Sequence, residues 1–383
     1  MNSTSDAGTD NIVATLGQSN RIYRVFLLNI ERWQLEQVFA VMQVPVPELT
    51  DLQLWSYVET PSVIPASFLG RSAPRLRILT LHGILFPGLP NLLLSATHLT
   101  ELNLHGIPRS WYISPEAMVA SLSTLSSLRI LILKFRFPQS LPGWNSRSLP
   151  SLKRSILPAL HKFRFKGTTE YLEGLVTLID TPQLEEMDIT FFHQINFDCP
   201  QLAQFITRSP ILRPRDEAHV QFNDYFASVA LLPQPRTITI GISCGEPVRQ
   251  LSSVAQVCNS SFPSISTVKD LYIDYEYSPQ VWNNDAIENA LWLQLLLPFS
   301  MVKNLYLSKE FGLGIAAALR ELIGGRITEV LPRLQNIFVE GLEPSGPFQE
   351  NIGHFAAARQ LSDHPITISV WDRLVSDSDM TPL

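Results

Sequence analysis

Apolar residues recur along this chain at the first, fourth and sixth places of a short phrase. The stretch 73-APRLRILTLHGI-84 returns as 96-ATHLTELNLHGI-107, and in both copies leucine fills all three places. With other apolar residues admitted, the pattern starts at Val25, Leu49, Leu76, Leu99, Leu128, Leu160, Leu184, Val268, Val302 and Leu334. Weaker copies start at Glu217, Pro235 and Pro365. Residues two apart lie on the same face of an extended chain, so each copy predicts one strand with its fourth and sixth residues in the core. Proline stands two residues before the first place at Pro47, Pro74, Pro158, Pro182 and Pro332. It keeps the residue before it out of the helical region and so begins an extended segment.

Successive copies are 18 to 34 residues apart. That spacing is the signature of leucine-rich repeats, with a strand in each unit and a return segment behind it. The longer returns hold helices with readable starts, as in 114-SPEAMVASLSTL-125, where Ser114 caps and Pro115 fills the first turn. The stretches 168-TTEYLEGLVTLID-180, 248-VRQLSSVAQVC-258, 284-NDAIENALWLQLLL-297 and 347-PFQENIGHFAAARQL-361 show apolar spacing of three and four. The expected fold is therefore α/β: a leucine-rich-repeat-like solenoid, or horseshoe, with a parallel sheet on the concave face and helices and turns on the convex face. Residues 21–372 are expected to form this single array, after a disordered lead-in over 1–20 and before a flexible tail over 373–383. Residues 138–157, rich in Pro, Ser and Gly, read as an exposed loop. Between 212 and 242 three strand-like runs crowd together, and an antiparallel insertion and a shifted register are both open there.

If the fourth and sixth places face inward, the third, fifth and seventh face out. The seventh places include Trp55, His82, His105, Lys134 and Lys166; the fifth include Arg164, Tyr272, Tyr306 and Phe338. With Lys162, the cations form an expected basic patch, and Tyr272, Tyr306 and Phe338 an aromatic column. Such strand faces typically bind proteins, and tyrosine is favoured in interfaces. These ten residues are the candidate partner-binding set.

Net charge of −6 argues against a dedicated nucleic-acid binder. The three cysteines form no C-x-x-C pair, and their odd number suits a reducing, intracellular setting better than a disulfide framework. The first seventeen residues lack the features of a signal peptide. No run reaches the roughly 18 apolar residues of a membrane span.

Two phrases imitate chemistry. The stretch 312-GLGIAA-317 follows a strand, opens a helix and has Glu340 at the end of the next strand, as a dinucleotide fingerprint would. Lys309, Glu310 and Phe311 intervene before the first glycine, however, and the glycines also suit a turn between strand and helix. His82 and His105 share one repeat place and would stack if their rungs are neighbours, but no acidic or thiol third ligand stands at a matching place, where zinc takes three or four. Neither a cofactor, a metal nor an enzymatic activity is expected, with a dinucleotide-binding enzyme using 312-GLGIAA-317 as the minor alternative.

Whole phrases carry a resemblance: 65-PASFLGRSAPRLRILTLHGI-84, 89-LPNLLLSATHLTELNLHGIP-108, 112-YISPEAMVASL-122, 199-CPQLAQFITRSP-210, 304-NLYLSKEF-311 and 355-FAAARQLSDHP-365. From about Arg21 to Arg373 the chain resembles fungal F-box-type proteins with degenerate leucine-rich repeats. The resemblance implies a non-enzymatic module like the substrate-recognition repeats of a cullin-RING ubiquitin ligase. The F-box that would dock on the ligase adaptor is not visible; the nearest imitation, 45-PVPELTDLQLW-55, runs into a repeat strand. Adaptor binding is thus expected only with an F-box supplied upstream, and a truncated paralogue without a ubiquitin role is the alternative.

Overall fold

A computed structural model describes residues 6–17, 21–57, 61–108, 111, 113–138, 154–192, 197, 199–212, 216–232, 237–260, 262, 265–276, 287–341 and 346–371. Most of the expected loop (139–153) and the expected tail lie outside the described residues. The chain divides into two compact units: Met1–Met187 with Arg208–Ile211, and Asp188–Thr207 with Leu212–Leu383.

The first unit contains α1 (Asp6–Leu16), β1 (Arg24–Leu28), α2 (Arg32–Val41), β2 (Asp51–Trp55), β3 (Ser62–Val63), β4 (Ile78–His82), β5 (Ile84–Leu85), α3 (Leu89–Ser95) and β6 (Glu101–Ile107). It continues with α4 (Pro115–Leu122), β7 (Ile130–Phe135), β8 (Ser155–Ile156), β9 (Lys162–Gly167), α5 (Thr169–Thr177) and β10 (Ile179–Asp180). The chain then passes through β11 (Glu186–Phe192) and α6 (Pro200–Arg208). Strands β1, β2, β4, β6, β7 and β9 lie side by side in that order, all parallel. Their register is the repeat itself: Leu52, Leu79, Leu102, Leu131 and Phe163 line up, as do Leu54, Leu81, Leu104, Leu133 and Phe165. All ten are at most 1% exposed, so truncating any one to alanine removes about 2–5 kcal/mol. Ser114 caps α4 by accepting the Ala117 N–H at 3.2 Å, as its sequence announces.

One backbone device repeats at the corner where the chain enters each strand. The carbonyl of Thr50 accepts the N–H groups of Arg77 and Ile78; that of Arg77 accepts Thr100 and Glu101; that of Thr100 accepts Arg129 and Ile130. Each second-place carbonyl thus uses both lone pairs on the next rung, which locks register and leaves that corner without a free backbone acceptor.

The second unit holds β12 (Glu217–Asn223), β13 (Phe226–Leu232), β14 (Thr237–Ser243), α7 (Pro247–Ser260), β15 (Asp270–Tyr275), α8 (Asn289–Leu296), β16 (Asn304–Leu307), α9 (Lys309–Arg320), β17 (Asn336–Glu340), α10 (Pro347–Leu361) and β18 (Thr367–Trp371). The irregular region is an antiparallel insertion: β12, β13 and β14 form a meander, and β15 then pairs parallel with β12. From β15 through β18 the parallel rungs resume. Helices α7 to α10 pack each on the next behind them. Buried Arg359 on α10 donates to the carbonyls of Leu334 at 2.9 Å and His364 at 3.2 Å, tying the last helix to the chain on either side of it.

Three sequence expectations need correction. Residues 6–16, expected to be disordered, form α1, which packs on α2. The first rung runs three residues earlier than the pattern from Val25 suggests: Val25 pairs with Leu52 and Leu27 with Leu54. Asn29 leaves the strand with φ of 52°, and the Glu31 N–H instead accepts a helix-start role, donating to Gln34 Oε1 at 3.2 Å. Phe26 and Leu28 therefore take the fifth and seventh places, where counting from Val25 puts Asn29 and Glu31. On β12, Ala218 pairs with Leu271 and Val220 with Ile273, so the rung starts two residues before Glu217.

Candidate functional site

In-register parallel strands bring equal repeat places within about 4.8 Å of each other. Side chains that point out therefore form columns, one for each outward place. The ten candidate residues all stand on such columns, seven in the first unit and three in the second.

In the second unit the fifth-place column is a stack of rings. Tyr272 and Tyr306 lie 4.2 Å apart at 7°, Tyr306 and Phe338 4.6 Å apart at 10°. The corrected phase of β12 adds His219, stacked 4.3 Å from Tyr272. Trp371, the seventh-place residue of β18, reaches back over the column and meets Tyr272 and Tyr306 at steep angles, with centroids 5.9 and 5.6 Å away. The stacked rings cover one another's faces, so what they offer outward is ring edges and hydroxyls. Burial first, and then the neighbouring Tyr306 and Glu217, push the Tyr272 hydroxyl well above its ordinary range; burial also raises Tyr306. Both stay neutral. Beside the rings, the third-place column is a chain of hydrogen bonds: Asn304 Nδ2 donates to Asp270 Oδ1 at 2.6 Å, Asn336 Nδ2 to Asn304 Oδ1 at 2.7 Å, and the Thr367 hydroxyl to Asn336. Each side chain fixes the next, giving a surface that needs little ordering on contact.

In the first unit Trp55, His82 and His105 form a second ring cluster. Trp55 stacks on His82 at 5.1 Å and on His105 at 5.7 Å, and Tyr57 leans on His82 at 4.6 Å. The two imidazoles lie 6.0 Å apart at 27°, ring against ring, and not as ligands converging on a point. Among the described residues no group of three or more His, Cys, Asp or Glu side chains is placed to hold a metal ion. Burial, followed by the charges of Lys134, His82 and Arg164, pushes His105 down to about 4, so it is neutral at neutral pH.

The basic patch is present but holds an acid in its middle. Glu186 on β11 meets Lys162 Nζ at 2.7 Å and Arg164 Nη2 at 2.8 Å. Burial alone would raise the Glu186 carboxyl; the hydrogen bonds from Lys162 and Arg164 outweigh it and hold the carboxyl below its usual range. Lys134 pairs across the strands with a neighbour of this group, Lys166. The face is therefore a charge network with a cationic excess, where a plain run of lysine and arginine was expected.

The glycine-rich phrase is not a turn. Lys309 opens α9 directly after β16, and Gly312 and Gly314 lie inside the helix, both buried. The Gly312 N–H donates to the Ser308 carbonyl at 3.2 Å. A phosphate-binding loop needs its glycine N–H groups turned outward; this one is engaged in the helix. A Cβ at 312 would lie 3.4 Å from the Phe348 ring of α10, an ordinary contact, so the approach of the two return helices does not itself require glycine there.

Sequence reasoning missed His219, Trp371, Tyr57 and Glu186. Trp371 was legible, since counting from Pro365 puts it at the seventh place. His219 was hidden by the misplaced phase of β12, and Tyr57 lies beyond the repeat phrase.

No protein-family model matches the chain, and no curated protein does. Among solved structures it is similar to the leucine-rich repeat-containing protein LegL7 from Legionella pneumophila, at 13% identity over 93% of this chain and 96% of that one, with a TM-score of 0.32. Among the described residues no helix is long and apolar enough to cross a membrane.

Proposed function

We propose that this chain is a repeat scaffold that binds a protein partner across its strand face and performs no chemistry of its own. The ring column of the second unit carries the reading. Tyr272, Tyr306 and Phe338 are half-buried, held by stacking and flanked by an ordered Asp–Asn–Asn–Thr chain. Pre-ordered aromatic residues with polar neighbours are what protein interfaces favour. A variant combining Tyr272→Ala, Tyr306→Ala and Phe338→Ala is expected to lose at least about tenfold in affinity for a partner captured by the unaltered chain. Undiminished capture by a variant that melts normally overturns the assignment.

The resemblance to F-box-type repeat proteins makes the reading more specific: the partner would be a protein selected for ubiquitination, in a reducing intracellular compartment that suits the three free thiols. One observation favours the alternative, a scaffold without a ubiquitin role: the segment nearest to an F-box start, 45-PVPELTDLQLW-55, ends in β2 as a repeat rung. Capture with and without an F-box fused ahead of residue 1 separates the two. Ubiquitination of the captured partner only in the fused form supports the first; capture without ubiquitination in either form supports the second.

A further inference from the structure

The first unit carries a groove away from the strand-face columns. It lies at the corner where the chain enters the strands and is lined by Thr50, Arg75, Arg77, His98, Thr100 and Ser127. These are the second places of successive rungs (Thr50, Arg77, Thr100) and the residues just before their first places (Arg75, His98, Ser127). The groove holds about 510 Å³, within the roughly 300–1,000 Å³ of ligand clefts. Its lining contains two arginines, a histidine and no carboxylate, on a chain whose net charge is −6.

We infer that this groove binds an acidic, extended segment of a protein partner. Its lining brings cationic side chains and no carboxylate. The carbonyls of Thr50, Arg77 and Thr100 each accept two backbone N–H groups from the next rung, and the hydroxyls of Thr50 and Thr100 donate inward to the carbonyls of Tyr23 and Arg77. The backbone acceptors are thus occupied; the two hydroxyls, their protons given inward, keep only lone pairs, and the donors left in the lining are the guanidinium of Arg77 and the imidazole of His98. Arg75 is held by Glu48 at the rim. Arg77 and His98 are exposed and have no side-chain partner among the described residues. Arg129, exposed at the second place of the next rung, continues the line past Thr100. Arg77 and Arg129, two rungs apart in the line of second places, suit carboxylates spaced along an extended peptide.

The test is fluorescence anisotropy of a labelled hexaglutamate peptide with the full chain. Binding is expected that weakens as salt rises from about 50 to about 300 mM. Arg77→Glu with Arg129→Glu should lower affinity by about tenfold or more, while Arg320→Glu, exposed on α9 and outside both candidate surfaces, should change it by no more than about twofold. Both variants alter exposed or half-exposed side chains, and matched melting temperatures show that they fold. Absence of binding by the unaltered chain, equal losses in the two variants, or tighter binding of an oligonucleotide of equal charge would each overturn the inference. The Tyr272, Tyr306 and Phe338 triple variant should keep its affinity for the peptide, so the strand-face reading and this one fail separately.

Discussion

His105 shows what burial against a ring cluster does to a single residue. Its value of about 4 in the folded chain compares with 6.5 for an ordinary histidine. The unfolded chain therefore takes up the proton first as pH falls. Above pH 6.5 neither state is protonated and His105 contributes no pH dependence. Between 6.5 and about 4 it draws stability down, and below about 4 both states carry the proton and the decline stops. Allowing for its partial exposure, the loss is about 1–2 kcal/mol. Glu186 acts in a lower window. Its folded value is depressed, so its contribution is present above the ordinary 4.5 and is lost as pH falls through the lower folded value. Urea unfolding at pH 7 and at pH 4.7 should show a smaller drop for His105→Gln than for the unaltered chain. An equal drop, or an NMR titration of His105 centred near 6.5, would sink this account.

At the scale of the element, the strands were legible and their phase mostly so. Leu79 and Leu102, or Leu81 and Leu104, fall into register because alternation and spacing agree. The phase failed at β1, where Leu28 and Ile30 satisfy the pattern as well as Val25 and Leu27 do; what decides is that Asn29 turns out of the strand. The meander of β12, β13 and β14 was visible as crowding, but alternation is the same for parallel and antiparallel neighbours. Glycines were harder, because one residue type serves opposite ends. Gly83 has φ of +66°, and a Cβ there would meet the Ser56 carbonyl oxygen at 2.3 Å. Gly312 sits in α9, where a Cβ would lie 3.4 Å or more from Phe348 and Val339. The two should answer alanine with opposite signs. Gly83→Ala is expected to destabilise by about 2 kcal/mol or more. Gly312→Ala should stabilise by about 0.5–1 kcal/mol, the usual gain on replacing a glycine inside a helix. Chemical denaturation of the two variants measures both, and destabilisation by Gly312→Ala would show that its contact with α10 is tighter than ordinary packing.

For the molecule as a whole, a repeat array poses the problem of its last rung. Every rung covers the inward residues of the one before it, so the last described rung, β18, draws no cover from a described strand beyond it. On β17 the inward residues Ile337 and Val339 are 0% and 4% exposed. Their partners one rung on, Ile368 and Val370, lose that protection: Ile368 is half-buried and Val370 is 63% exposed, with Leu361 at the end of α10 90% exposed. Among the described residues no strand pairs with the outer edge of β18. The strand carries neither lysine nor proline within it, the usual devices that keep a sheet edge from pairing with another chain. Trp371 turns away to the ring column and gives the edge no cover. The purified chain should therefore self-associate as its concentration rises, and Val370→Lys should suppress that association. Because Val370 is already exposed, the substitution should move stability by no more than about 0.5 kcal/mol. Sedimentation velocity over a concentration series, with a melting curve for each protein, reads both quantities. Association that persists unchanged in a folded Val370→Lys variant would place the self-association elsewhere, with the exposed Phe26 and Leu28 of the first rung as the next residues to alter.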